Sequence, residues 1–163
     1  MPVANLHVLN GHPRENLKQW IRETSSALSE ILAAPKDRLE VWVTEIDPEL
    51  WGINGLPADE VLAEMPRRDA EMPFIRMVLM EGRTVEQLHR VIAELTAITA
   101  RLLEVDAGRI RVYIAHAHPD RWGIGGPRAQ QPACCVDRHR RVTIHLTSIG
   151  GRTFVRRHTG GTT

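Results

Sequence analysis

The second residue of the chain, Pro2, has the makings of an unusual acid–base group. Met1 is readily trimmed when the next residue is a proline, and its removal would leave Pro2 as a free secondary amine. Every other backbone nitrogen is an amide and cannot take a proton. An ordinary α-amino group titrates near pH ~8, and an apolar pocket with nearby cations lowers that pKa. Such an amine is suited to shuttle protons near neutral pH.

Two histidines and two cysteines are the other residues whose spacing suggests chemistry. His116 and His118 would face the same side of a strand as a pair of metal ligands, but no third ligand has a recognisable spacing. We therefore predict no metal site. Cys134 and Cys135 are adjacent, which rarely meets disulfide geometry, and we interpret them as small side chains rather than a reactive pair.

An internal repeat with a constant offset of 71 residues organises the chain. Repeats of this kind indicate one structural unit used twice. Chance matches would not keep a single gapless register through two prolines, a tryptophan and three glycines. The identical pairs include Pro2/Pro73, Gly11/Gly82, Glu15/Glu86, Leu17/Leu88, Ile21/Ile92, Arg38/Arg109, Val41/Val112, Pro48/Pro119, Trp51/Trp122, Gly52/Gly123, Ile53/Ile124 and Gly55/Gly126.

Each copy has the hydrophobic pattern of a strand, a long helix and a second strand. The first copy predicts strands over 3–9 and 39–44 around a helix over 13–32. The second predicts strands over 74–80 and 110–115 around a helix over 85–104. Such βαβ units have parallel strands and a right-handed crossover. One unit is too small to bury its own sheet, so we expect the two to pair and the chain to oligomerise further.

The chain is predicted to consist of a unit over 2–55, a linker over 56–72, a second unit over 73–126 and a C-terminal extension over 127–163. A helical turn is expected in the linker at 58–64. The extension holds seven arginines and one acid, which gives it a charge of +6, whereas the net charge of the chain is +1. It has no nucleic-acid-binding motif. We interpret it as a disordered end, an added edge strand or a cap over the site, whose positive field draws anionic substrates.

The composition excludes several classes of protein. The chain has 163 residues with 42% hydrophobic and 25% charged side chains, which is typical of a compact globular protein. No run approaches the ~18 apolar residues of a membrane helix. The start of the chain has no basic segment followed by a long apolar one, so no secretory leader is predicted and the expected location is cytoplasmic.

Each copy resembles a subunit of the 4-oxalocrotonate tautomerase family in the tautomerase superfamily. The resemblance rests on the proline after Met1, on a first strand that closes with Leu-Asn-Gly or Met-Glu-Gly, and on Trp-Gly-Ile-(Asn/Gly)-Gly after the second strand. It covers 2–55 and 73–126. It implies an α+β fold of the tautomerase type, in which two fused βαβ units form a four-stranded sheet with two helices on one face. It also implies a homotrimer of chains that needs no cofactor.

Two arginine positions of the family are filled in the second copy only. Arg83 follows the glycine that ends the first strand, and Arg111 lies early in the second strand. The resemblance implies that these arginines bind the carboxylate and carbonyl groups of a small anionic substrate. The first copy has His12 and Glu40 at those places. A guanidinium binds a carboxylate through two hydrogen bonds, stays charged at working pH and stabilises an enolate-like transition state.

The base of the family is present in the first copy only. Because Met72 precedes Pro73, the nitrogen of Pro73 is a tertiary amide and cannot act as a base. Family sites are shared between paired subunits. The resemblance therefore implies one composite site per chain, in which Pro2 is the general base and Arg83 binds substrate. Arg111 would join from the same chain or from a neighbour.

The rest of the family's pocket is an aromatic wall, and Trp51 and Trp122 occupy its place. An apolar wall excludes water and strengthens ionic contacts, although interface packing explains either tryptophan equally well. Trp122 is favoured because it belongs to the copy with the arginines. The other pocket, with Pro73, His12 and Glu40, is expected to be inert.

The favoured function is a cofactor-free tautomerase that converts small enol or 2-hydroxy-diene acids to keto acids. A decarboxylase, a hydratase or a dehalogenase of the same fold is an alternative. Hydration and dehalogenation need an activated water, and the places where we look for the extra arginine or carboxylate hold Met80, Ile124 and His116. Glu45 or Asp120 could still fill that role. A protein of another class, a non-catalytic oligomeric binding protein, is the remaining alternative.

Overall fold

The computed structural model of the chain describes residues 2–126. The expectations for Cys134, Cys135 and the extension over 127–163 lie outside the described residues. Among residues 2–126, no helix is both long and apolar enough to cross a membrane.

The two predicted units are present, and their elements repeat with the offset of the sequence. The first unit contains strand β1 (Val3–Leu9), helix α1 (Arg14–Ile31) and strand β2 (Glu40–Ile46). Next come β3 (Gly52–Ile53), β4 (Leu56–Pro57), α2 (Ala58–Glu64) and α3 (Arg67–Ala70). The second unit contains β5 (Phe74–Met80), α4 (Val85–Leu103) and β6 (Arg111–Ala117). β5, β6 and the first residue of α4 each lie 71 residues after their counterparts, and α2 is the helical turn expected at 58–64.

One four-stranded sheet joins the two units in the order β2–β1–β5–β6. β1 is parallel to β2, and β5 is parallel to β6, as the βαβ pattern predicts. β1 and β5 are antiparallel at the centre, where Val3 pairs with Val78 and His7 pairs with Phe74. This pairing relates the units by a local two-fold axis. β2 and β6 extend two residues beyond the predicted ends because Ile46 and Ala117 still pair with Leu9 and Met80.

Both long helices pack on one face of this sheet, as predicted. Alternate residues of the central strands are fully buried beneath the helices, among them Leu6, Val8, Ile75 and Met77. Side chains at the start of each helix bind the end of the other. Asn16 Nδ2 donates to the carbonyl of Leu102 (2.8 Å), and Gln87 Nε2 donates to the carbonyl of Ile31 (3.1 Å). Two antiparallel helices thus form one core with the sheet.

Neither long helix covers the opposite face of the sheet, whose outer strands β2 and β6 carry exposed side chains. Trp42 and Tyr113 lie on it with 38% and 53% of their surface exposed. His7 stacks on Phe74 there, with 5.8 Å between ring centroids. Partial burial, together with the charge of Arg76, lowers the pKa of His7 below 6.5. A mixed apolar and charged face of this kind is typical of a surface that another protein covers.

A buried hydrogen bond between the helices gives a stability prediction. Trp20 Nε1 donates to Thr99 Oγ1 (2.8 Å), and both side chains are fully buried. Thr99→Val removes the acceptor and leaves a buried N–H unsatisfied, so we expect a loss of about 1–3 kcal/mol in the free energy of unfolding by urea. The hydroxyl of Thr24 is equally buried but has no partner among the described residues. Thr24→Val is therefore the matched control and should cost nothing; equal losses would contradict the assignment.

A second prediction concerns pH. Because the folded chain holds the pKa of His7 below 6.5, the unfolded chain binds more protons just below that pH. The stability from the neutral imidazole is fully present above pH 6.5 and is lost as the pH falls through the lowered pKa. The urea midpoint of the wild type should fall over this window, and His7→Gln should flatten the fall. An unchanged pH profile in the variant would rule out His7 as a cause.

Candidate active site

Pro2 lies at the start of β1, buried, at one end of the sheet. Its carbonyl accepts a hydrogen bond from the N–H of Glu40 (3.1 Å), which ties it to the start of β2. Continuing the β1–β5 register by one residue places Pro2 beside Leu79, close to the end of β5. The N-terminal end of the first unit therefore meets the loop that follows β5 in the second unit.

Arg83 lies in that loop, and its guanidinium is anchored at the same end. Gly82 makes the turn with a φ of +95°, a conformation that favours glycine. Arg83 Nη1 donates to the carbonyl of Leu32 (2.7 Å), the residue that caps the C-terminus of α1. Since α1 runs back along β1, its C-terminus lies at the end where β1 begins. Pro2 and Arg83, from different repeats, are thus brought together at one end of the sheet.

Trp122 also belongs to this end. It follows β6 and a single turn of 3-10 helix (Pro119–Arg121), and β6 ends beside the end of β5. The residue is half-buried. Its indole Nε1 is buried and has no hydrogen-bond partner among residues 2–126. An N–H without a partner is rare in a protein interior, so this donor is available for a ligand or a neighbouring chain.

Arg111 lies at the opposite end of the sheet from Pro2. It pairs with Phe74 at the start of β5, and its N–H donates to the carbonyl of Pro73 (2.9 Å). The five-residue step from Leu79 to Phe74 spans roughly 17 Å along the strand. Arg111 Nη1 donates to the carbonyl of Gly108 (2.9 Å) instead. The structure therefore does not bring Arg111 and Pro2 of one chain together.

Trp51 is also separated from Pro2 within the chain. It follows β2, which ends beside the end of β1. There it packs against a small cluster that includes Leu9, Ile53 and Ala58. Of the two tryptophans, only Trp122 shares an end of the sheet with Pro2 and Arg83.

Of the two polar residues expected beside Pro73, only His12 lies at that end of the sheet. Glu40 is not there, because its N–H binds the carbonyl of Pro2 at the other end. The expected His12 is present, and its Nε2 donates to the carboxylate of Glu71 (2.8 Å). Arg67 Nη1 also donates to that carboxylate (3.3 Å). Sequence reasoning missed Glu71 and Arg67, for which the only signal was an acidic residue two positions before the repeated proline.

The residues considered for water activation have other partners. Glu45 forms an ion pair with Arg14 (2.5 Å) on the helix side of the sheet. His118 Nδ1 accepts a hydrogen bond from the N–H of Asp120 (3.3 Å). Within the described part of the chain, no three potential metal-binding side chains lie close enough together to hold an ion.

Comparison with known proteins agrees with this architecture. The tautomerase family model, described as a tautomerase enzyme, matches residues 2–60 and 73–130. The chain is 41% identical over 60 residues to a 2-hydroxymuconate tautomerase of Pseudomonas putida, an alignment that covers 37% of this chain and 95% of that protein. The relative therefore has about the length of one repeat.

Solved structures match both repeats together. The crystal structure of native fused 4-OT has a TM-score of 0.69 and 26% sequence identity, and it covers 77% of this chain and 94% of its own. An asymmetric trimer of wild-type fused 4-OT has a TM-score of 0.66 and 25% identity over the same shares of the two chains. The chain belongs to the tautomerase family as a fused member with two repeats, and it is an enzyme of the isomerase class.

Proposed function

We propose that the enzyme is a cofactor-independent tautomerase that converts small enol or 2-hydroxy-diene carboxylic acids to keto acids. The proposal rests on one observation: Pro2 and Arg83, which belong to different repeats, lie at the same end of the sheet. A base and a carboxylate anchor are sufficient for this reaction. The relatives named as 2-hydroxymuconate tautomerases act on an acid of this class, which supports the assignment.

In the proposed mechanism, the Pro2 amine is the general base once Met1 has been removed. It takes the proton from the enol oxygen, the C–O bond becomes a carbonyl, and the C=C electrons move towards the carbon that is to be protonated. The ammonium then returns the proton to that carbon. The product is an isomer of the substrate, so no oxidant, reductant or co-substrate is consumed. Burial of the Pro2 position disfavours the charged amine and so favours the neutral form that can accept a proton.

Arg83 would bind the substrate's carboxylate and stabilise the negative charge that develops on oxygen. Its guanidinium uses Nη1 for the carbonyl of Leu32. The other nitrogens of the planar fork remain to face the substrate, and the anchor restricts their orientation. Trp122 would form the apolar wall, and its buried Nε1–H is a further donor at this end.

We also propose a homotrimer in which Arg111 of a neighbouring copy completes each site. Arg111 is exposed and lies on the uncovered face of the sheet, close to the exposed Tyr113. Since its own Pro2 is at the far end of the strands, only a second copy brings the two together. The trimers of fused 4-OT among the structural neighbours support the trimeric state.

Replacing the proposed base and anchor tests the site. We expect Pro2→Ala to lower kcat/KM by about 10²–10⁴-fold, because a flexible primary amine replaces the rigid secondary amine that is proposed as the general base. Arg83→Ala should lower it by about 10²–10³-fold because the developing oxyanion loses a cation. Pro73→Ala is the matched control and should have little effect, since that nitrogen is an amide. The assay follows the ultraviolet absorbance of 2-hydroxymuconate or phenylenolpyruvate, with intact mass to verify the removal of Met1. An equal loss in Pro73→Ala would refute the single composite site.

Mixing inactive variants tests the sharing of residues between chains. Pro2→Ala chains keep Arg111, and Arg111→Ala chains keep Pro2 and Arg83. Refolding the two together should restore a part of the activity, because a site on one chain receives Arg111 from its neighbour. The control mixture of Pro2→Ala with Arg83→Ala should stay inactive, because those two residues act from one chain. Recovery in the control, or its absence in the first mixture, would contradict the proposed arrangement.

A further inference from the structure

The Pro73 end of the sheet contains a fully buried carboxylate that the proposed mechanism does not use. Glu71 is 0% exposed. Its Oε1 accepts the backbone N–H of Leu9 (2.8 Å). Its Oε2 accepts hydrogen bonds from His12 Nε2 (2.8 Å) and Arg67 Nη1 (3.3 Å). A buried anion is stable only with partners of this kind, and here both oxygens have them.

The segment that carries Glu71 is held firmly against this end. Arg109 Nη2 donates to the carbonyl of Ala70 (2.6 Å), and its Nε donates to the carbonyl of Glu71 (3.3 Å). Arg67 Nη2 donates to the carbonyl of Asn10 (2.9 Å). Gly11 has a φ of +100°, and a Cβ there would lie 3.2 Å from Arg67 Nη2. The loop after β1 is thus shaped to admit the arginine that faces the Glu71 carboxylate.

The repeat relates this cluster to the active end. His12 stands 71 positions before Arg83, so the two residues follow equivalent strands at equivalent ends. Glu71 itself precedes Pro73 by two residues and lies at the end of the linker between the repeats. His12 therefore binds a carboxylate supplied by the chain itself. At the equivalent position of the second repeat, Arg83 is proposed to bind the carboxylate of the substrate.

We propose that the second pocket of the fused chain is a carboxylate-binding site occupied by the chain's own Glu71. The donors of this site are the imidazole of His12, the guanidinium of Arg67 and the backbone N–H of Leu9. When the Glu71 side chain is removed, the site accepts a small free carboxylate such as formate or acetate. The comparison with Arg83 rests on the proposed function, whereas the site itself rests on the contacts of Glu71.

Because Glu71 occupies the second pocket, that pocket has a structural role in addition to having no catalytic base. The pocket cannot admit substrate while Glu71 fills its donors, whatever residues stand around Pro73. The carboxylate also fixes the end of the linker to the loop after β1, because Glu71 binds His12, which lies 59 residues earlier in the chain. In the fused chain, the carboxylate of Glu71 thus takes the place that a free carboxylate ligand would occupy.

Chemical rescue of a truncated side chain tests the proposal. Glu71→Ala should unfold at a lower Tm than the wild type, because the N–H groups of Leu9, His12 and Arg67 lose their acceptor. Formate and acetate should raise its Tm in a saturable way, with half-saturation on the order of millimolar, because a ligand that binds the folded state stabilises it by mass action. Chloride at equal ionic strength should not. Glu71→Gln is the matched control: its amide still fills the pocket, so formate and acetate should change its Tm only as much as that of the wild type.

Every outcome bears on the proposal. A carboxylate-specific rise in Glu71→Ala alone supports it, whereas equal responses to acetate and chloride, or an equal response in Glu71→Gln, would overturn it. If Glu71→Ala does not fold in plain buffer, refolding in acetate against chloride makes the same comparison, and failure in both would contradict it. The tautomerase activity of the folded variant should equal that of the wild type, since the Glu71 carboxylate bonds to Leu9, His12 and Arg67 and to none of the proposed active-site residues. A missing activity in the wild type would count against the proposed function and leave the rescue result intact.

Discussion

The antiparallel pairing of β1 with β5 determines how every functional residue is placed. Within each unit the strands are parallel, so the start of one strand lies beside the start of the other. The central pairing reverses one unit against the other, with Asn5 opposite Arg76 at the middle of the register. The N-terminal end of each unit therefore meets the loop that follows the first strand of the other. Each end of the sheet is composite, and neither unit can form it alone.

The two composite ends have the same backbone and different chemistry. The N–H groups of Glu40 and Arg111 bind the carbonyls of Pro2 and Pro73 in the same way, at 3.1 and 2.9 Å. At one end a proline that can become an amine meets an arginine, which suits an anionic substrate. At the other end a blocked proline follows the buried Glu71, which occupies the polar groups there. A few side chains, with an unchanged fold, thus distinguish the proposed active end from the end that Glu71 occupies.

Local patterns were sufficient to predict most of the fold. Hydrophobic spacing and the 71-residue repeat indicated two βαβ units, and the predicted strands at 3–9 and 74–80 have the bounds that the structure shows. The outer strands β2 and β6 were predicted two residues short, because their last residues are held by pairing with a distant strand rather than by their own side-chain pattern. The choice of Pro2, Arg83 and Trp122 as neighbours followed from the repeat and the family resemblance.

The remaining site residues required the order and direction of the strands. Nothing in the sequence states that β1 and β5 are adjacent and antiparallel, and this arrangement moves Arg111 away from Pro2. The parallel pairing of β1 with β2 places Glu40 next to Pro2. The role of Glu71 could not be predicted from the sequence for a related reason. Its partners His12 and Leu9 are about sixty residues away in the chain, and an isolated glutamate in an acidic linker is normally a solvated side chain.

The most direct test of the central claim is a crystal structure of the oligomer without Met1, bound to a carboxylate inhibitor. The account predicts the inhibitor's carboxylate on the Arg83 guanidinium, with its reactive carbon within reach of the Pro2 nitrogen and both residues from the same chain. A carboxylate bound elsewhere, with Pro2 and Arg83 too far apart to contact one small molecule, would contradict it.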